Sequence, residues 1–198
     1  MAVHDSFEKY YAEDRKTWRK WLEKNHAKVP GIWLIYYKKN SGKTRVPYAD
    51  AVEEAICFGW IDTTQRPGDS DYYMQLFMPR KPKSNWSKLN KDRSERLIKE
   101  GLMMPAGLKS IETAKNNGSW ELLDGVESLT PMPELQKALN KNKTAMKHFE
   151  SLSTWNRKYI LYWVNGAKRS ETRAERIAVV MEALSRKDIP ERFKRQKP

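Results

Sequence analysis

No uninterrupted apolar run in the chain is longer than "IWLIYY", Ile32–Tyr37. Spanning a bilayer takes about 20 residues, so this run is far too short for that. Its β-branched and aromatic side chains suit a buried strand instead. With 39% hydrophobic and 11% aromatic residues, 198 positions can bury a real core, and the 32% that are charged then read as solvated surface rather than disorder. That length fits one domain, or a core with a smaller appended part.

The other elements follow from spacing and punctuation. Residues 12–26 predict an amphipathic helix, with Trp18, Trp21 and Leu22 recurring among basic residues. Pro47 precedes a second helical face, Ala51, Val52, Ala55, Ile56 and Phe58, which Gly59 stops. "WIDTT" and "YYMQLFM", joined by "QRPGDSD", predict an antiparallel hairpin. A helix is expected from near Ser84 to about Glu100 with Trp86, Leu89, Arg93 and Leu97 on one side, and another over "PAGLKSIETAKNNG". Helices are expected over 133–139, 144–152, 154–164 and 170–186; in the last, Ala174, Ile177, Ala178, Met181 and Leu184 form a stripe, and Thr172 with Glu175 has capping-box spacing. The class expected is α+β: a small, mostly antiparallel sheet with packed helices in residues 1–130, then a basic helical part in 131–198 packed on the first.

Charge is uneven. Residues 131–198 hold 16 Lys and Arg against 7 Asp and Glu, most of the net +13. That raises nucleic acid as a partner, with Trp155, Tyr162 or Trp163 as stacking groups, but these lie in an apolar helix and core packing is favoured. The N-terminus has early acids and no apolar leader, which with the single Cys57 leads us to expect a cytoplasmic protein without a transmembrane segment.

Recognisable reaction chemistry is scarce. His4, His26 and His148 are scattered, so no metal site is expected, and no cofactor motif stands out. Cys57 sits at the end of an apolar helix and reads as a small buried side chain. "NSGKT" at 40–44 ends like a phosphate loop, but the glycine needed five positions before Gly42 is Tyr37, and Pro47 interrupts the helix that should follow.

The segments "AVEEAICFGWIDTTQ", "FMPRKPKSNWSKLN" and "GLMMPAGLKSIETAKNNGSW", with "RKYILYWVNGAKRSETRAERI" and the N-terminal "WRKWLEKNH" and "GIWLIYYKK", together resemble the YdeI/OmpD-associated family, the bacteriocin-protection proteins. The resemblance implies a binding or accessory role in envelope stress or resistance to peptide antibiotics and bacteriocins. It brings no agreed catalytic residues.

Two candidate sites come from the residues themselves. Strand alternation puts Trp60 and Asp62 on one face of the hairpin, opposite Ile61. With Ile61 toward the core, Asp62 and Trp60 would line a ligand site completed by Arg80, Lys83 and Trp86, fit for a small anionic or aromatic molecule. The competing reading packs the tryptophans in the core and pairs Asp62 with Arg80. Lys168, Arg173 and Arg176, around a helix start, form a candidate anion site or a set of structural salt bridges. The expected partner is a small anionic ligand or a protein. An enzyme with Asp62 as general base and Arg80 or Lys83 as anion clamp is the alternative from another class.

Overall fold

In the computed structural model, which describes residues 6–167 and 169–193, the "IWLIYY" run becomes β2, Ile32–Tyr37, an interior strand of a four-stranded sheet. The order is β1-β2-β4-β3, with β1 Lys9–Tyr11, β3 Trp60–Pro67 and β4 Tyr72–Pro79. β1 runs parallel to β2 and the other pairs are antiparallel, so the expected hairpin is present and the class is α+β. β1 is the strand the sequence did not disclose.

The chain divides into two compact units, 1–84 with 89–119, and 85–88 with 120–198. In the first, α1 Arg15–Asn25 and α2 Tyr48–Cys57 bury Trp18, Leu22, Ala51, Val52, Ala55 and Ile56 together with Ile32, Leu34, Tyr36 and Phe77 of the sheet. Asp14 caps α1, its side chain accepting from the Thr17 N–H at 2.7 Å. Trp18 donates from Nε1 to the Ala51 carbonyl at 3.1 Å, which joins the two helices inside the core. Trp33, Met74 and Leu76 form a separate apolar cluster with Phe7, Ile35, Tyr72 and Met78.

α3 spans Lys88–Lys99 and α4 spans Pro105–Asn116. α3 begins later than its sequence suggests: the chain turns through Pro82 and Lys83, and Ser84–Ser87 are not helical. Leu89, assigned to the packed side, is 58% exposed. Pro79 and Pro82 stop the ladder, and the helix restarts only past the extended stretch.

The second unit holds α5 Asp124–Glu127, α6 Pro133–Asn140, α7 Lys143–Ser151, α8 Thr154–Asn165 and α9 Ser170–Ser185, with a 3-10 turn at Glu191–Phe193. Leu135, Leu139, Phe149, Ile160, Leu161, Val164, Val180 and Leu184 form its core. In α9 the expected stripe is rotated: Ala174 and Ala178 are exposed while Val180, Ala183 and Leu184 are buried. The capping box does not form either. α9 is already helical at Ser170, so Thr172 lies inside its first turn, and the N-cap residue is Arg169 with no side-chain cap.

Candidate functional site

A pocket of about 310 Å³ lies in the first unit where the ends of α1 and α2 meet the β3–β4 hairpin and α4. Its aromatic surface comes from Phe58 and Trp60, either side of Gly59. Gly59 has φ 73°, and an added Cβ would sit 2.8 Å from the Ala106 carbonyl oxygen, so this corner needs glycine both for conformation and for space. The Gly59 carbonyl accepts from the Arg80 N–H at 2.9 Å. Strand register pairs Trp60 with Pro79, so Arg80 leaves the sheet beside the Trp60 corner.

α4 supplies Ala106, Lys109, Ser110 and Thr113, spaced i, i+3, i+4, i+7 and therefore on one helical face. Close approach makes that face available. Gly107 meets the end of α2 so tightly that a Cβ there would stand 2.3 Å from the Cys57 oxygen, and the Met104 N–H donates to the same carbonyl at 3.1 Å.

Arg80 is 9% exposed, and burial pushes its guanidinium down to about 10, opposed by the nearby Asp62 carboxylate. It is therefore still charged near neutrality. With Lys81 and Lys109 the lining carries three cations and no carboxylate, beside two aromatic rings and the hydroxyls of Ser110 and Thr113. That chemistry suits an anion carrying an apolar or aromatic body.

Of the residues singled out in the hairpin, the structure brings Trp60 and Arg80 into this lining and leaves Asp62, Lys83 and Trp86 outside it. Trp60, 1% exposed, faces the helices and Ile61 does not, the reverse of the alternation considered from sequence. Its Nε1 donates to the His26 carbonyl at 3.1 Å and its ring meets Trp21 edge-on. Asp62 Oδ2 accepts from the Tyr48 hydroxyl at 2.6 Å. Trp86 belongs to the second unit, where it packs on Trp120 with ring centroids 4.9 Å apart. His26, Phe58 and the α4 face were not anticipated; the polar positions in "AGLKSIET" at helical spacing were the available signal.

The second set serves the end of a helix. Arg176 Nη1 donates to the Trp163 carbonyl at 2.6 Å, and Arg173 Nη2 donates to the Ala167 carbonyl at 3.2 Å while its Nη1 meets Glu134 at 3.1 Å. Both guanidinia satisfy carbonyls at and beyond the C-terminus of α8, which the helix itself cannot. Lys168 lies outside the described residues. The aromatic groups of α8 depart from core packing: Trp155, Tyr159 and Tyr162 are 52%, 42% and 47% exposed, while Trp163 packs against the apolar cluster and Tyr159 meets its member Phe193 edge-on. The helix is apolar in composition, but its buried line runs through Ile160, Leu161 and Val164.

Fold and site define a two-unit α+β protein whose first unit carries a cation-lined aromatic pocket and whose second is helical. Residues 10–110, half of the chain, match the model of a domain of unknown function, DUF8412, and the chain belongs to that family. Residues 129–187 match the model described as bacteriocin-protection, YdeI or OmpD-associated, so the resemblance read from sequence holds for the C-terminal part. The N-terminal motifs that contributed to it fall under the first model as far as residue 110. Comparison with curated proteins and with solved structures gives no match. Among the described residues, no helix is long and apolar enough to cross a membrane.

Proposed function

We propose that this is a cytoplasmic binding protein that takes a small organic anion with an aromatic or apolar body, and that it acts as an accessory factor in protection against bacteriocins or peptide antibiotics. One observation carries the ligand class: the pocket of the first unit joins Phe58 and Trp60 to Arg80, Lys81 and Lys109 with no acidic residue in its lining. Arg80, charged but poorly hydrated, interacts more strongly with an incoming anion than a fully exposed cation would. The protective role is supported by the family match of residues 129–187. Benzoate and indole-3-carboxylate are the probes for calorimetry. Both should bind saturably, and Lys109→Glu should weaken binding at least tenfold while Lys99→Glu, a reversal on α3, leaves it unchanged. Equal effects of the two reversals would end the reading. In cells, deletion of the gene should raise sensitivity to a bacteriocin, and Lys109→Glu should fail to restore protection.

A second reading has its own support in the exposed line Trp155, Tyr159 and Tyr162 on α8, in the most basic third of the chain. Trp155 and Tyr159 stack at 4.9 Å, a platform of the kind on which single-stranded bases lie. This reading requires salt-dependent binding of an unstructured oligonucleotide that Trp155→Ala abolishes. Retention no stronger than that of a protein of equal charge would remove it.

A further inference from the structure

The second unit has a cleft of its own, about 440 Å³, lined by Lys143, Thr144, Lys147, His148, Ser151 and Lys187. Five of these come from one side of α7, and Lys187 arrives from the end of α9. Every lining side chain is polar, and none is a carboxylate. Glu150 belongs to a neighbouring cleft that shares Lys143 and Lys147. Among the described residues, the ion pairs of this unit, such as Lys158–Glu127, Arg173–Glu134 and Arg186–Glu182, do not use Lys143, Lys147 or Lys187.

Lys187 sits where glycine would be easier. After α9 the Lys187 N–H donates to the Leu184 carbonyl and the Asp188 N–H to the Ala183 carbonyl, both at 3.0 Å, the bond pair that closes a helix through a left-handed residue. Lys187 holds that residue's φ, at 57°. The same closing position after α2 and after α4 is glycine, Gly59 and Gly118. Among the described residues only one other non-glycine has positive φ, Leu129, and its side chain packs into the apolar cluster, which offsets the strain. Lys187 is exposed and gains no such packing. Its side chain instead lines the cleft. His148 adds a shielded Nε2 without a hydrogen-bond partner.

We propose that this cleft binds a phosphate-bearing small molecule, with Lys143, Lys147 and Lys187 around the phosphate and the Thr144 and Ser151 hydroxyls beside it. Three ammonium point charges with no carboxylate among them favour a multiply charged phosphate over a singly charged carboxylate, and lysine binds phosphate as a point charge. Around the charged heads the lining is hydroxyls and lysine methylene stems, and the volume exceeds what a single phosphate fills. This site is separate from the pocket of the first unit and differs from it in having no aromatic ring in its lining other than the His148 imidazole.

The test uses the full chain and inorganic pyrophosphate as probe, by calorimetry in about 150 mM chloride, where weak surface attraction is screened. Wild type should bind saturably. Lys187→Gly should bind at least tenfold more weakly yet melt at the same or a higher temperature, because glycine removes the strained conformation; a loss of affinity through misfolding is thereby distinguished. Lys147→Gln should also lose affinity, while Lys16→Gln in α1 and Lys109→Glu in the other pocket should not. The proposal is overturned if Lys187→Gly binds as wild type does, if Lys16→Gln weakens binding as much as the cleft variants, or if acetate binds as tightly as pyrophosphate.

Discussion

Arg15 of α1 and Glu54 of α2 meet with Nε and Oε1 2.6 Å apart, and the carboxylate of Glu54, 2% exposed, is held on its other oxygen by Arg19 Nη1 at 2.7 Å. Arg19 also donates from Nη2 to the Leu102 carbonyl at 3.0 Å, so the same cation reaches the chain leading into α4. Three elements that frame the aromatic pocket are thus tied through one buried carboxylate. Loss of Glu54 would take from both arginines the buried carboxylate they share, and a partly buried cation that loses its counter-ion is not fully rehydrated.

Glu54→Ala should therefore destabilise the fold by about 3 kcal/mol, the low end for a broken buried pair because Arg15 and Arg19 keep some contact with solvent. Urea denaturation measures it. Glu182→Ala, which breaks only the exposed pair with Arg186, should cost under about 1 kcal/mol. Equal losses would mean that the burial of Glu54 does not matter.

Cys57 should be chemically silent. Burial first, then the Glu54 carboxylate, pushes its thiol up to about 11, with Arg19 pulling the other way. Only the thiolate reacts, so a disulfide reagent at pH 8 should modify the native protein far more slowly than the urea-unfolded chain. Rapid labelling of the native chain would show that the end of α2 opens readily.

Burial, and next the hydrogen bond to Asp62, raise the Tyr48 hydroxyl to about 12. A phenol raised above its ordinary value of 10.0 contributes stability that is complete below pH 10 and lost as pH climbs through about 12, because the unfolded chain ionises first. Wild type should lose stability over that window, and Tyr48→Phe should lose less of it. Denaturation midpoints at pH 9 and pH 11 supply the comparison; parallel slopes for the two proteins would contradict it.

What the sequence disclosed was mainly local. Gly59 as the stop of α2 and the hairpin after it could be read because turn and cap chemistry lies within a few residues of the elements it ends. The hairpin also put Trp60 and Arg80 within reach, since its register carries Trp60 to Pro79. Long-range pairing hid the rest. β1 is three residues whose partners, Trp33, Leu34 and Ile35, lie more than twenty positions away. Glu54 looks like a surface charge until Arg15 and Arg19 are placed against it. The α4 half of the pocket depends on Gly107 packing against Cys57, fifty positions earlier. In α8 and α9 the composition showed that a helix packs but not which side does, because aromatic and alanine residues fill both faces.

Gly107→Ala tests that long-range packing and the pocket together. The added methyl would lie 2.3 Å from the Cys57 oxygen and 2.8 Å from the Ile56 oxygen, both backbone atoms that cannot rotate aside. α4 must shift outward, at a cost of about 1–3 kcal/mol for an overpacked contact. The shift carries Lys109, Ser110 and Thr113 with it, so affinity for an aromatic carboxylate should fall together with stability. Gly118→Ala provides the contrast. Gly118 has φ 75° but open space around the missing Cβ, so that variant should lose about 1–2 kcal/mol from backbone strain alone and keep its ligand affinity. If both variants lose stability equally and neither loses binding, the close contact between α4 and the end of α2 is not what positions the cationic wall.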